Sequence, residues 1–217
     1  YRPIANESRR RNAAAMTHMD EAMGRVLQAL EQEGVRGNTL VVFASDNGGQ
    51  RSWTPTPREY EGRYPVHDRL GDNAPLRGWK TELYEGGIRV PAVVHWPGRL
   101  EPRKLTQPVA VYDLYPTLAA VAGVQPPRAL EGRSVWAALR SGATLPERPV
   151  YIRSPQGQAL RIGDWKLIHR GPAVDEGADE LFNLAADPLE ARDVAGAHPD
   201  VLTRLRAELA RQLEADR

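Results

Sequence analysis

An Asp-Asn pair stands directly after an apolar run, in Thr39-Leu40-Val41-Val42-Phe43-Ala44-Ser45-Asp46-Asn47-Gly48-Gly49. It offers a carboxylate and a carboxamide oxygen, hard donors of the kind that bind Ca²⁺ or Mg²⁺. The two glycines let the backbone turn sharply beside a ligand. Two oxygens do not hold an ion by themselves, so further ligands are required. The plainer reading is a reverse turn, because Asn-Gly is a favoured turn dipeptide. Further along, Lys80 lies in Pro75-Leu76-Arg77-Gly78-Trp79-Lys80-Thr81-Glu82-Leu83-Tyr84-Glu85-Gly86-Gly87-Ile88-Arg89-Val90-Pro91. An ammonium beside an ion-held oxyanion neutralises charge and can stabilise or protonate a leaving oxygen. The plainer reading is a solvated surface lysine. Glu82, Glu85 and Arg89 read as turn and surface ion pairs, and Gly86-Gly87 as a tight turn into a strand.

Lys80, Lys104 and Lys166 are the only lysines, every other basic side chain being Arg. Because the two cations differ in shape and hydration, a lysine at position 80 suggests a specific need. Among the histidines, His67 sits in a polar loop and is a candidate substrate contact. His18 reads as structural, and His95, His169 and His198 have no partners at ligand spacing. Neither a His-Glu-x-x-His spacing, nor a Gly-x-Ser-x-Gly elbow, nor a nucleotide-type Gly-rich loop is present.

Several classes are excluded by composition. The 29 basic and 28 acidic residues balance, so no basic excess points to nucleic acid or an anionic membrane. The absence of cysteine removes disulfides, thiolate zinc sites and a cysteine nucleophile. No apolar run is long enough to span a bilayer. A chain of 217 residues, 41% of them hydrophobic, can bury a substantial core.

The elements that would position these groups follow from periodicity. Residues 6–33 carry Met16, Met19, Met23, Val26, Leu27 and Leu30 at helical spacing, with Gly34 as the stop. Residues 39–44 form an unalternating, β-branched run, suited to a strand covered on both faces. Asp46 and Asn47 then lie at its carboxyl end, where α/β sheets bind ligands. Residues 50–74 form a long loop rich in Pro, Gly and Arg, suited to substrate contacts. A second buried strand is expected at 89–96, and a helix at 111–122 with Asp113 as N-cap and Gly123 as stop. Ser134 should cap a short helix through Leu139. Composition shifts near 141–149. Short strand-like pieces follow at 150–152, 159–162, 165–168 and 180–184, separated by Gly157, Gly163-Asp164 and Gly171-Pro172, and they suit a small antiparallel sheet. Pro199 opens a terminal helix with Val201, Leu202, Leu205, Leu209 and Leu213 on one stripe.

Taken in order, these pieces resemble the C-terminal portion of a type I sulfatase of the alkaline phosphatase superfamily. Met19-Asp20 through Gly24 is similar to the helix before the family's metal strand, and Ser45-Asp46-Asn47-Gly48 to its metal motif. Pro75 through Lys80 with Tyr84 through Pro91 resembles its second signature. Asp113-Leu114-Tyr115-Pro116-Thr117, Gly163-Asp164-Trp165-Lys166-Leu167 and Glu180-Leu181-Phe182-Asn183-Leu184 with Asp187-Pro188 resemble later family segments. The resemblance implies an α/β fold: the C-terminal part of an alkaline-phosphatase-like mixed sheet flanked by helices (residues 1–141), then a small antiparallel sheet with a terminal helix (142–217).

It further implies that Asp46 and Asn47 are two ligands of one Ca²⁺ and that Lys80 contacts the sulfate group of a sulfate ester. Related phosphatases place His after the corresponding Asp. A carboxamide oxygen suits Ca²⁺ where imidazole suits transition metals, so Asn47 favours sulfate over phosphate chemistry. The family's formylglycine nucleophile, made from Cys or Ser in a Cys/Ser-x-Pro/Ala-x-Arg context, has no counterpart here, and neither have its upstream Asp, Lys and His residues. The chain is therefore expected to be half of a sulfatase, inactive alone, lacking the N-terminal half of the same fold. A partial sheet with an unpaired edge and exposed apolar helix faces should result. Two other readings stay open: a non-catalytic scaffold or pseudoenzyme that kept the fold, and a metal-dependent phosphodiesterase. Substrate identity is open too, with specificity expected in residues 51–73, including Trp53, Tyr60, Tyr64 and His67.

Overall fold

The computed structural model describes residues 1–53, 67–68, 71–126, 130–174 and 176–215, with Trp53, His67 and Asp68 described by their backbone. Two compact units are present, each built from non-consecutive segments: Tyr1–Gln28, Ala44–Ala92 and Pro149–Arg217 in the first, and Ala29–Phe43 and Val93–Arg148 in the second.

The best-packed part of the first unit is a four-stranded antiparallel meander: β5 (Pro149–Ser154), β6 (Gly157–Ile162), β7 (Trp165–Ala173) and β8 (Glu176–Asn183), in that spatial order. Its register pairs Leu160 with Leu167 and Leu167 with Leu181, so the two-residue period lines these leucines along one face. There they meet Leu205 and Leu209 of the terminal helix α5 (Pro199–Ala215), all five fully buried. Burying each such leucine contributes about 1.5–3 kcal/mol. The same period sends Ala159, Ile168 and Phe182 to the opposite face, where Leu83, Tyr84 and Leu184 cover them. Arg161, Lys166, Arg170 and Glu180 share that second face by parity, which gives the loop around Lys80 a charged as well as an apolar floor. The four strand-like segments and the terminal helix thus form where the sequence predicts, with strands longer than expected.

Helix α1 (Glu7–Gln32) starts with the Asn6 side chain accepting the Arg9 N–H at 2.9 Å, and Gly34 at φ +68° follows its end. Its apolar stripe is not buried. No residue of α1 is buried, and Met16, Met19 and Val26 are 53%, 38% and 60% exposed. This matches the expected exposure of apolar helix faces.

Strand β1 (Val41–Ala44) pairs with β4 (Ala92–His95). Coverage of both faces does not occur: no residue of either strand is buried, and Val93 is 58% exposed. Among the described residues the sheet has these two strands and no others. The second strand is also shorter than expected, because residues 85–88 form a one-turn helix, α2 (Glu85–Ile88), and Arg89 caps it. Gly86-Gly87 is therefore helical and not a turn into the strand.

In the second unit, Asp113 is fully buried and stands at the N-cap position as expected, but its side chain makes no capping bond to the helix that follows. A 3₁₀ turn spans Val111–Asp113, and α3 (Leu114–Ala122) follows, ending at Gly123 with φ +69°. The Asp113 carboxylate accepts the Ala110 and Arg133 N–H groups, each at 2.9 Å, and pairs with Arg148 at 2.5 Å. The neighbouring Ala110 and the distant Arg133 and Arg148 thus take the oxygens that a cap would use. Ser134 Oγ accepts the Trp136 N–H at 3.3 Å at the head of α4 (Trp136–Ser141).

Candidate functional site

The chain leaving β1 is fixed residue by residue. Ser45 N–H donates to Pro91 O at 3.2 Å, and Ser45 Oγ donates to Asn47 O at 2.9 Å. Asn47 N–H donates to Asp46 Oδ1 at 3.0 Å, and Asn47 Nδ2 donates to Gly48 O at 2.8 Å. The next two residues tie this turn to the lysine loop: Gly48 N–H donates to Gly87 O at 2.9 Å, and Lys80 N–H donates to Gly49 O at 3.0 Å. Asn73, which the sequence reading passed over, clamps the junction. Its Oδ1 accepts Gly49 N–H at 2.7 Å, and its Nδ2 donates to Gly49 O at 3.1 Å and Gly78 O at 3.0 Å. Segments 45–49 and 73–87 therefore act as one hydrogen-bonded piece.

Glycine is needed here for close approach of backbones. A Cβ on Gly48 would fall on the Gly86 carbonyl, one on Gly86 on the Arg77 and Gly78 carbonyls, and one on Gly87 on the Glu82 and Trp79 carbonyls. Thr81, next to Lys80, holds φ +76°, which for a β-branched residue costs on the order of 1–3 kcal/mol.

Asp46 and Lys80 are exposed and Asn47 is half-buried. Within the turn Asp46 uses Oδ1 and Asn47 its amide nitrogen, so the hydrogen bonds of the turn itself do not use Asp46 Oδ2 or the Asn47 amide oxygen. Two hard oxygens at one exposed turn fit Ca²⁺ by donor type. Among the described residues, no group of three His, Asp or Glu side chains converges to hold an ion. Lys80 lines a pocket of about 520 Å³ with Gln50, Arg51, Ser52, Trp79, Thr81 and Glu82; Asp46 and Asn47 are not in its wall. A larger solvent-open concavity of about 700 Å³, at the β5–β6 turn, holds none of the candidate residues. The backbone of His67 lies in β3 (His67–Asp68), opposite Trp53 of β2 (Ser52–Trp53), at the base of the long loop. Tyr60 and Tyr64 lie outside the described residues.

Glu85 is not a surface residue. It is 3% exposed, and its Oε1 accepts from Lys166 Nζ at 3.0 Å. Lys166, fully buried, also lies 2.7 Å from Glu190 Oε1, off the hydrogen-bonding direction, so that contact is an ion pair. Glu190 Oε2 accepts the Glu85 N–H at 2.6 Å, and Arg161 adds a second cation 3.7 Å from Glu85 Oε2. Burial pushes the Glu190 carboxyl up from its ordinary value, with Lys166 pulling against it. Beside this cluster, Tyr84 OH accepts from Arg77 at 2.9 Å and Arg170 at 3.0 Å and donates to Glu180 at 2.8 Å. Burial, then the Glu180 carboxylate, holds the Tyr84 phenol above its usual value. The rarity of lysine that singles out Lys80 applies equally to Lys166, and that was the available signal.

Of the remaining histidines, His169 is fully buried between Asp179 at 2.7 Å and Ala173 O at 2.9 Å, a structural role. His95 bonds Arg36, His198 packs edge-on against Trp165 with ring centroids 4.9 Å apart, and His18 is exposed on α1.

Comparison with known proteins adds an independent finding. The family model described as Sulfatase matches residues 2–124, and that described as N-sulphoglucosamine sulphohydrolase, C-terminal, matches residues 78–217. Arylsulfatase J of Mus musculus is 29% identical over 97% of this chain and 41% of that protein. N-acetylgalactosamine-6-sulfatase of Homo sapiens is 31% identical over 75% of this chain and 30% of that protein. The crystal structure of Ps i-CgsB superposes with a TM-score of 0.78 at 29% identity, covering 97% of this chain and 44% of that one. The putative sulfatase yidJ from Bacteroides fragilis gives 0.67 at 25% identity, covering 93% of this chain and 41% of that one. The chain thus spans at most about two fifths of the curated relatives named here.

Proposed function

This chain belongs to the sulfatase family and has its alkaline-phosphatase-like α/β fold, and we propose that it supplies one side of a site that hydrolyses sulfate esters. The observation that carries the proposal is the pair of backbone bonds, Gly48 to Gly87 and Lys80 to Gly49, joining the Asp46-Asn47 turn to the Lys80 loop. An oxygen-donor turn and an ammonium, far apart in sequence, are thereby held on one rigid piece. Asp46 and Asn47 would hold a Ca²⁺ through their carboxylate and carboxamide oxygens. Bound there, the ion supplies positive charge toward the oxygens of a sulfate group. Lys80 adds a charge-assisted hydrogen bond to the same group and balances charge on the leaving side. The organic part of the ester would lie toward the pocket lined by Arg51, Trp79 and Glu82, with His67 and the long loop as further contacts.

The nucleophile and the remaining ion ligands are assigned to polypeptide outside these 217 residues, the other part of the same fold. Two observations support this: the chain covers 41% of the length of Arylsulfatase J, and the apolar faces of α1 and β4 are uncovered. A carboxamide at position 47, where imidazole would suit transition-metal phosphoesterase chemistry, favours the sulfate reading.

The 217-residue chain is expected to leave 4-nitrophenyl sulfate intact in the presence of Ca²⁺; release of nitrophenolate would overturn the assignment of the nucleophile to other polypeptide. Inorganic sulfate titrated with Ca²⁺ present is expected to shift the Trp79 and Thr81 amide resonances, and the shift should be lost in Lys80→Ala. Equal shifts in both proteins would remove Lys80 from the site.

A further inference from the structure

A buried charge cluster lies directly under the site and takes no part in the chemistry proposed above. Glu190 sits at φ +55°, a left-handed conformation that an L-residue adopts at a cost, with its carboxylate on the Glu85 N–H at 2.6 Å. Glu85 is the first residue of α2, and Lys166 bridges the two carboxylates, at 3.0 Å from Glu85 and 2.7 Å from Glu190. The Glu190 carbonyl accepts from Arg77 Nη1 at 2.7 Å, and the Arg77 carbonyl accepts the Gly86 N–H at 2.7 Å. Both bonds that define the site end on this assembly: Gly87 of α2 receives Gly48, and the Arg77-to-Glu85 loop carries Lys80 onto Gly49. Three side chains from α2, β7 and the segment after β8 thus converge on the one turn of helix from which the Asp46-Asn47 turn hangs.

Stability alone is a poor account of such a cluster. Buried ion triads add little net stability, and well-packed apolar replacements are often as good or better. Their distinguishing property is direction: a fully buried ammonium between two carboxylates, each also bonded to backbone or balanced by Arg161, admits one arrangement. We infer that Lys166 and Glu190 are positioning residues, which fix the one-turn helix at Glu85–Ile88 and through it the spacing of the Asp46-Asn47 turn and Lys80. The small C-terminal sheet thereby sets the geometry of a site to which it contributes no ligand. That these groups bind an ion and a sulfate rests on the proposed function above; the coupling itself does not.

Amide hydrogen exchange of the 217-residue chain, followed by NMR without ion or substrate, tests the coupling independently of that reading. Lys166→Met should speed exchange of the Gly48 and Lys80 amides at least about tenfold, while Leu205 and Leu209 in α5, on the other face of the sheet, change less than about threefold. Unchanged rates at Gly48 and Lys80 would overturn the inference. So would equal acceleration at all four amides, since that is what loss of general stability produces. Glu190→Gln, which keeps an oxygen for the Glu85 N–H but removes one charge, is read the same way and decides the matter should Lys166→Met not fold. The same selective ordering is expected, and uniform or unchanged rates overturn it.

Discussion

Gly48→Ala probes the seat of the Asp46-Asn47 turn most sharply. The added methyl would fall on the Gly86 carbonyl and press against the Gly87 backbone, neither of which can swing aside as a side chain would. The turn can respond in two ways. It can lift off, losing the Gly48-to-Gly87 and Lys80-to-Gly49 bonds, each with a net value of about 0.5–1.5 kcal/mol. Alternatively it can stay and strain the backbone of α2, and overpacking of that kind costs about 1–3 kcal/mol. Both routes lead to a loss of about 2 kcal/mol, or about 4–8 °C in melting temperature for a chain of this size. Differential scanning calorimetry measures the shift, and amide exchange at Lys80 reports which route is taken. A melting temperature within a degree or so of wild type, with the Lys80 amide still protected, would refute the stacked-backbone account.

Gly24→Ala is the converse case. Gly24 lies within α1 with nothing near the position of an added Cβ, so the substitution should stabilise by about 0.5–1 kcal/mol through helix propensity, measurable by thermal melting. Leu205→Ala removes a fully buried side chain from between α5 and the four-stranded sheet and should cost about 2–5 kcal/mol in urea denaturation. Asp187 is held below its ordinary value, 3.8, chiefly by the Arg192 N–H at 2.9 Å. A lowered folded value means that its stabilisation is present above the ordinary value and is lost as pH falls through the lowered one. Asp187→Asn should therefore be less stable than wild type at neutral pH, with the gap closing below about pH 4; a gap constant down to pH 3 would contradict this.

The β5–β8 meander and α5 were legible because a single period governs each and glycine turns separate them. Tyr151, Leu160, Leu167 and Leu181 alternate with residues of the other face, and the leucines of α5 follow helical spacing. Asp46, Asn47 and Lys80 could be singled out by type and motif. What sequence could not convey was the scaffold between them. Glu85 and Glu190 are 105 residues apart, and Glu85 and Lys166 81, separations at which no local pattern speaks. The α2 turn was misread because Gly86-Gly87 has the lowest propensity for helix short of proline. It forms because its tertiary hydrogen bonds and the crowding of the 77–82 carbonyls leave room for nothing else. The apolar stripe of α1 and the unalternating run of β1 both signal burial, yet Val26 is more than half exposed and no residue of β1 is buried. Periodicity shows that a face is apolar; which polypeptide covers it is a separate matter.

The central claim is that Asp46 and Asn47 form an ion-binding turn and not merely a reverse turn. It is tested most directly by titrating the isotopically labelled chain with Ca²⁺ and following the amides of Asp46, Asn47, Gly48 and Gly49. With two side-chain ligands, affinity should be about millimolar or weaker, at or beyond the weak end of complete Ca²⁺ sites. The account predicts saturable shifts confined to these residues and the Lys80 loop, abolished in Asp46→Ala and Asn47→Ala. Absence of shifts in the wild-type chain, or identical shifts in both variants, would contradict it.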